Sequence, residues 1–226
     1  MKDMKMKNIL SGGIYIKKIL DVLGISQMSN FKNVRTITLT AVLVALTVIA
    51  NRILIIPLGP VLEIRFGFIF LSTIAFLFGP VIGFAAGFLT SLLGFLIFPT
   101  SGAAFNPLFD LNIGLSGILY AIFLYKRNPK SEYFIIWIVA AKVFVNLICN
   151  IIINTRLLIF FGYISQNSSG IISITRVFKN FTLLPGEIIV MLIVLKFVSA
   201  TAYKYKFIKS VHTAKKEEFK HKIESE

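Results

Sequence analysis

The stretch GPVIGFAAGFLTSLLGFLIFPTSGAAFNPLFDLNIGLSGILYAIFLYKR, residues 79–127, contains two long apolar runs separated by a polar break. The runs cover 81–98 and 108–125, and each approaches the ~20 residues that a helix needs to cross a bilayer. The break PTSGAAFNP, residues 99–107, holds two prolines and a glycine, which are residues that end helices. The stretch therefore predicts two membrane-spanning helices joined by a short connection.

The rest of the chain has the same apolar character. Of its 226 residues, 56% are hydrophobic and 15% are charged, and the mean hydropathy is +0.83. A water-soluble domain of this size cannot bury so much apolar surface, so lipid is the expected solvent. We predict an all-α, polytopic membrane protein with six transmembrane helices, at about 36–58, 66–78, 81–98, 108–125, 132–162 and 177–198. This membrane domain is expected over 34–200, between a cytoplasmic or interfacial segment at 1–33 and a basic cytoplasmic tail at 201–226.

Basic residues indicate the orientation of the helices. Of 24 lysines and arginines, seven lie in 1–35 and eight from Lys196 onward, and a further cluster lies at 126–130. Cytoplasmic segments carry such an excess of positive charge, so both termini are predicted to be cytoplasmic. The net charge of +14 is attributed to attraction by anionic lipid, because no basic–aromatic module indicates nucleic-acid binding. The outward-facing connections are then those near 57–65, 99–107 and 164–176.

Several kinds of chemistry have no motif in this sequence. It contains no phosphate-binding GxxxxGK[ST] loop, no HExxH, no GxSxG and no cluster of catalytic carboxylates. Cys149 is its single cysteine, which excludes a disulfide within the chain and a cysteine metal cluster. We therefore expect no enzymatic activity, no cofactor and no metal, and uphill transport would take its energy from a partner.

Polar residues that are unusual for a membrane protein concentrate at the predicted outer face. Ionisable groups in membrane proteins usually face the protein interior or a wet cavity, so we expect a cavity open to the outside. Its charge is unbalanced, because five cations stand against Glu63 and Asp110. An anionic ligand would explain the excess, since arginine binds carboxylates with a bidentate fork. Alternatively, the cations contact headgroups or cap helices. They are Arg52, Arg65, Arg156, Arg176 and Lys179.

Arg176 and Lys179 are the strongest candidates for an anion site. They are three residues apart, hence on one helical face, and they are expected to begin the last span. Cations are unfavourable at a helix N-terminus unless an anion joins them. Arg156, in IINTRLLIFFG at 152–162, is expected at the outer end of its span, because about twenty residues from Glu132 already cross the hydrocarbon layer.

Asp110 and Asn106 lie at the start of the fourth helix. The ordinary role of Asp110 is compensation of the helix dipole, and that of Asn106 is stabilisation of the turn before Pro107. In the alternative interpretation, both side chains form hydrogen bonds with an amino-substituted heterocycle.

These residues lie in segments that resemble substrate-binding S components of energy-coupling factor (ECF) vitamin transporters, above all the folate-specific branch. That branch looks like GP-x-x-G, LGFLLFPTGG, F-x-P-x-F-T-L and L-x-G-x-x-Y-G-x-x-LY, in this order. IINTRLLIFFG and TRVFKNFTLLPGEIIVMLIVLK are similar to its NT-x-WL and R-x-x-KN-x-x-x-x-P-x-E endings, and IRFGFIFL at 64–71 also fits. The resemblance covers about 36–200. The chain departs from the pattern with Leu157 in place of Trp, and with Asp110 and Leu111 in place of Thr-Leu.

The resemblance implies a vitamin site near the outer face and an ECF module of one transmembrane coupling protein and two ATPases. It also implies that small residues of the first helix dock on the coupling protein, which maps to Ala41 and Ala45. Their spacing of four permits close approach of another helix, either the partner's or one in this chain. The expected ligand is folate or a reduced folate, with an amino-substituted ring for Asn, Asp and Phe and two carboxylates for Arg and Lys. The predicted binding residues are Arg65, Asn106, Asp110, Asn154, Thr155, Arg156, Arg176, Lys179 and Asn180.

Three alternatives remain open. An S component for another vitamin or a queuosine precursor stays in the same class, but a neutral ligand would not need the cationic cluster. A membrane enzyme acting on lipid headgroups would need a metal-binding or acidic catalytic cluster near the interface. A structural or assembly protein would only place its outer cations against headgroups.

Overall fold

The described part of the chain is a helical bundle with one small β-hairpin. The computed structural model describes residues 34–57, 63–98, 105–163 and 169–204. The predicted N-terminal segment at 1–33 and the tail beyond 204 lie outside this part. In chain order the elements are α1 Val34–Arg52, β1 Ile55–Pro57, β2 Glu63–Arg65, α2 Gly67–Phe78, α3 Pro80–Ile97, α4 Pro107–Leu124, α5 Phe134–Val145, a π-helical segment Asn146–Ile153, α6 Asn154–Phe160 and α7 Ser169–Lys204.

Within the described residues, five helices are long and apolar enough to cross a membrane. They are α1, α3, α4, the continuous helix Phe134–Phe160 and most of α7. The remaining helix, α2, has only 12 residues, as the short apolar run predicted, and nine of them are buried in the centre of the bundle. The class predicted from the sequence, a helical polytopic membrane protein, is thus confirmed, with the β-hairpin as an addition.

The helices α3 and α4 pack backbone against backbone. A Cβ atom added at Gly83 would lie 2.8 Å from the carbonyl oxygen of Gly117, and one at Gly87 would lie 2.5 Å from that of Ile113. Both distances are far below van der Waals contact, so these positions accept only glycine without movement of the helices. The contact holds α3 and α4 together along most of their length, and both helices contribute to the cavity described below.

Strand β1 occupies a segment that the sequence assigned to the end of the first span, and β2 lies in the predicted outward connection at 57–65. That span was predicted to continue to 58, but α1 ends at Arg52 and the chain then turns into β1. Ile55 pairs with Arg65 in antiparallel register. The Gly67 N–H donates to Asn51 Oδ1 at 3.1 Å, which ties the start of α2 to the end of α1. The hairpin therefore returns Arg65 to the level of Arg52.

The fifth apolar run is one helix that changes its hydrogen-bonding pattern in the middle. Residues Asn146–Ile153 form a π-helix between α5 and α6. The carbonyl oxygen of Cys149 accepts the N–H of Asn154, five residues on, and also the Nδ2–H of Asn112 from α4 at 3.1 Å. The π-helical segment is thus fixed to α4 by a side-chain hydrogen bond, and π-helical turns of this kind are frequent at functional sites.

The last helix, α7, is much longer than predicted. It begins at Ser169 and has 36 residues, whereas the sequence placed its start near 177. Arg176 and Lys179 therefore lie two or more turns inside the helix. Because the helix dipole acts on charges within the first turn only, the prediction that these two cations need an anion at a helix N-terminus was wrong. Their candidacy as binding residues depends on where the helix places them.

The core lies between α2, α4, α5 and α7. Phe76 of α2 packs against Phe134 of α5 with ring centroids 5.9 Å apart. The fully buried side chains at the centre include Ile74, Tyr120, Leu124, Phe134, Ile138, Met191 and Leu195.

Candidate ligand-binding site

A cavity of about 260 Å³ opens at the end of the bundle where α1 and α3 end and α4 begins. We call this end the cavity end. The wall combines aromatic rings with an arginine and an aspartate, a composition typical of sites for small organic ligands. The lining residues are Arg52, Ser91, Phe95, Phe105, Asn106, Phe109, Asp110, Leu158 and Tyr163.

Two aromatic pairs form part of the wall. Phe95 of α3 and Phe105 have ring centroids 5.3 Å apart, and Phe109 of α4 meets Tyr163 at 6.3 Å with an interplanar angle of 64°. Phe105 and Tyr163 are also each 46% exposed. These rings present faces and edges on which a flat heterocycle can stack.

Asp110 supplies a carboxylate that needs a donor. The residue is only 3% exposed, and its Oδ2 atom has no hydrogen-bond partner among the described residues. Its place in the first turn of α4 also suits the helix dipole, as the ordinary interpretation predicted. A buried polar atom without a partner is costly, so a ligand N–H group directed at Oδ2 would remove that cost.

Asn106 has the structural role predicted for it at the start of α4, and it also lies in the cavity wall. Its side-chain oxygen accepts the N–H of Leu108 at 3.1 Å and caps α4, whose first residue is Pro107. The same side chain also lines the cavity. Since the capping bond uses the oxygen, the Nδ2 group is the part of Asn106 that can donate to a ligand.

Arg52 is the cation in the cavity wall, and it was not among the predicted binding residues. A Cβ atom added at Gly94 of α3 would lie 3.2 Å from Arg52 Nε, so the absent side chain at Gly94 makes room for the guanidinium. Arg65, on the facing strand of the hairpin, is close enough to repel Arg52 electrostatically. The sequence counted Arg52 among the five cations of the outer face, with headgroup contact as the alternative, and did not select it as a binding residue, because nothing in its neighbours indicated that α1 ends beside α3.

The other predicted residues divide between the cavity and its surroundings. Thr155 of α6 is buried and its Oγ1 atom has no hydrogen-bond partner in the described part of the chain. Asn154 is half-buried beside it, whereas the Arg156 side chain is exposed. None of these three lines the cavity, but Leu158, one turn beyond Asn154, does. The α6 prediction thus located the right helix and missed the side chain that lines the cavity.

The three predicted residues of α7 do not line the cavity either. Arg176, Lys179 and Asn180 are half-buried. Asn180 Nδ2 donates to the carbonyl oxygen of Arg176 at 2.8 Å, so part of its hydrogen-bonding capacity is used within the helix. A ligand that fills the cavity would meet these residues only through a part that extends toward α7.

Two charged residues in the bundle interior were overlooked in the sequence. Lys142 lies within the fifth apolar run and Glu187 within the last, and their side chains form an ion pair of 3.2 Å between Nζ and Oε2. The pair could have been noticed, because each residue interrupts an otherwise apolar helix. Ionisable groups at such positions are usually functional.

Comparison with known proteins gives concordant results. Residues 31–202 match the family model described as ECF-type riboflavin transporter, S component. The folate transporter FolT of Clostridium novyi (strain NT) is 26% identical over 160 residues, which cover 71% of this chain and 87% of the relative. A crystal structure of FolT bound with folic acid matches with a TM-score of 0.60 and 28% identity, over 70% of this chain and 91% of that one.

Proposed function

The chain belongs to the family of ECF-type riboflavin transporter S components, and we propose that it captures folate or a reduced folate at the outer face of the membrane. The family consists of transporter components, which confirms the prediction of a transport subunit without enzymatic activity. The observation that carries the proposed ligand is the composition of the cavity. It joins stacking aromatic rings to a buried carboxylate, whose Oδ2 atom has no partner in the described part of the chain, and to a neighbouring arginine pair.

Folate suits each part of this wall. Its pterin ring is flat and carries an amino group beside a ring N–H, which can donate to the Oδ2 atom of Asp110 while the ring stacks on Phe109. Its glutamate tail carries two carboxylates, for which Arg52 and Arg65 offer guanidinium groups at the cavity mouth. The cavity of about 260 Å³ is smaller than a folate-sized ligand requires, so the tail extends beyond it.

The tail is the reason to keep the remaining predicted residues in the proposed site. Asn154, Thr155 and Arg156 lie on α6 next to Leu158, and Arg176, Lys179 and Asn180 lie on the following helix. These six residues form the side of the site toward which a carboxylate tail leaves the cavity.

The proposed arrangement in the membrane keeps the topology that the basic clusters predict. Six helices, with α2 counted as the short second one, place both termini in the cytoplasm and the cavity end outside. Ala41 and Ala45 are exposed on one face of α1. Close helix packing needs small residues on such a face, so we propose that this face docks on the coupling protein of an ECF module with two ATPases.

Riboflavin is the second candidate, because the matched family model carries its name. Its ring system is flat enough for the aromatic wall, but it has no ring amino group for Asp110 and no carboxylate for Arg52 and Arg65. The two FolT relatives also favour folate.

The experiment is to purify the protein from the cells that make it and to identify bound small molecules by mass spectrometry. Calorimetric titration of the ligand-free protein with folate, pteroate, riboflavin and a queuosine precursor follows. We expect folate or a reduced folate to co-purify, and folate to bind more tightly than pteroate because only folate carries the glutamate tail. Recovery of riboflavin, or tighter binding of riboflavin than of folate, would overturn the proposal.

A further inference from the structure

Lys142 of α5 and Glu187 of α7 form an ion pair inside the apolar bundle. Lys142 is 3% exposed, and its Nζ atom lies 3.2 Å from Glu187 Oε2 and 3.7 Å from the ring centroid of Phe68 in α2. The two opposite charges attract each other, and this attraction is strong where water is excluded.

The helix that carries Glu187 has few other attachments to the bundle. In the most apolar part of Ile174–Ala202, only 11% of the residues are buried inside the protein. The corresponding share in the other four candidate spans is 28% to 39%. Among the residues of α7 whose side chains are described, the buried ones lie in the half that follows Glu187, at Met191, Leu195, Ser199 and Ala202. The half that precedes Glu187, which carries Arg176, Lys179 and Asn180, contains no buried residue among those with a described side chain.

The ion pair lies where these two halves of α7 meet. Pro185, two residues before Glu187, has no N–H to donate to the preceding turn, so the helix is weakened just there. An added Cβ atom at Gly186 would meet no described atom within 4 Å, so this side of the turn has no packing partner in the described part of the chain. Ile188, the position after Glu187, is partly buried against the core, and the pair is the charged contact beside it that can fix the direction of the outer half.

Helix geometry relates the pair to the proposed site. The helix Phe134–Phe160 and α7 follow each other in the chain and run antiparallel. A residue that follows Lys142 by a given number of positions therefore lies at about the same height as the residue that precedes Glu187 by that number. Asn180 and Arg176 precede Glu187 by seven and eleven residues, which are close to whole numbers of turns, so all three share one face. Eleven residues, or about 17 Å, lead from Lys142 to Ile153, just before Asn154 and Thr155.

We propose that Lys142 and Glu187 are positioning residues for the ligand site. Their ion pair sets the height and rotation of α7 against the helix Phe134–Phe160, so that Arg176 faces the start of α6 at the level of Asn154, and Asn180, one turn closer to the pair, faces the π-helical segment. The proposal rests on the proposed function in one respect, which is that the carboxylate tail of the ligand reaches these residues.

The test distinguishes an effect on the position of α7 from an effect on the stability of the folded protein. Removal of one partner leaves an uncompensated buried charge, whereas replacement of both by apolar residues is often tolerated. The informative variant is therefore K142M/E187L, with the exposed Lys196 of the same helix, changed to Met, as the matched control. Nitroxide labels at Phe160→Cys and Phe178→Cys, both on highly exposed positions, report the distance between α6 and the outer half of α7.

We expect K142M/E187L to fold with nearly unchanged Tm and to show a broadened distance distribution between the labels. Its affinity for folate should fall at least tenfold, while its affinity for pteroate, which lacks the glutamate tail, stays within threefold. The exchange variant K142E/E187K should restore the narrow distribution and the ratio of folate to pteroate affinity. K196M should behave as wild type in every measurement.

A narrow distribution of label distances and an unchanged ratio of folate to pteroate affinity in K142M/E187L would overturn the positioning role. If that variant does not fold, K142M/E187Q, which also leaves neither charge in the interior, is measured in the same way, and the same two results decide. Failure of the wild-type protein to bind folate would overturn the proposed function instead. In that case the label distances alone still decide whether the pair positions α7.

Discussion

Asp110→Asn is the substitution that tests the cavity most directly. The carboxylate is buried and its Oδ2 atom lacks a partner among the described residues. In the proposed complex this atom accepts a hydrogen bond from the amino-substituted ring, and hydrogen bonds to charged groups contribute about 1.5–3 kcal/mol. An amide of the same shape presents a donor in place of one acceptor. We therefore expect a loss of about 2–3 kcal/mol, which corresponds to a dissociation constant roughly 30–150 times larger.

The same substitution should change the stability of the ligand-free protein little, because the lost interaction with the dipole of α4 is offset by removal of a buried charge whose Oδ2 atom has no partner among the described residues. The assay is calorimetric titration with folate and with pteroate, which share the ring, combined with thermal unfolding without ligand. Ser91→Ala, which alters another residue of the wall, is the matched control with an expected change below threefold. Folate affinity within threefold of wild type in Asp110→Asn, or a marked fall in the Tm of its ligand-free form, would refute the assignment of Asp110 to the ring.

Three further substitutions test the remaining parts of the site. Arg52→Ala should weaken folate binding by about 1.5 kcal/mol or more and leave pteroate binding nearly unchanged, because the guanidinium is assigned to the glutamate tail. Equal losses of affinity for both ligands in calorimetric titration would contradict that assignment. Arg176→Ala and Lys179→Ala should each weaken folate binding by at least ~1.5 kcal/mol, as for a lost charged hydrogen bond. Unchanged folate affinity in both variants, measured by the same titration, would exclude α7 from the site. Ala45→Leu should prevent co-purification with the ECF module without altering folate affinity. Leu46→Met, on an exposed residue that lies about 100° further round the same helix, should leave both co-purification and affinity unchanged. Normal assembly of Ala45→Leu would exclude this face as the docking surface.

The apolar runs predicted the helices well, because a span needs about twenty apolar residues and leaves a visible pattern. The ends of the helices were predicted less well. Arg52 was placed inside a span that continued to 58, since Ile55 and Ile56 extend its apolar pattern, yet Pro57 and the pairing with β2 turn them into a strand. In α7 the opposite error occurred. The polar residues before 177 suggested a loop, but polar side chains are compatible with a helix that continues beyond its apolar part.

The residue types of the site were predicted better than their places. Asp110 and Asn106 were assigned to the cavity because they follow a break and begin a helix, which fixes their position in any bundle. Arg52 was missed because its place in the wall depends on Gly94, 42 residues further along the chain, and no local pattern relates the two. Lys142 and Glu187 each look like isolated exceptions in the sequence, and only their distance of 3.2 Å shows that they belong together.

The π-helical segment Asn146–Ile153 has a consequence for the comparison of related chains. A π-helical turn holds about one residue more than an α-helical turn, so removal of one residue here would restore a regular α-helix. The part of the helix beyond it would then rotate by about 100°, the angle between successive residues, and Leu158 would leave the cavity wall. Related proteins that differ by a single residue in length at this point can thus present different side chains to their ligands with no substitution in the site itself. An alignment that places a gap elsewhere would assign the wrong residue of α6 to the ligand.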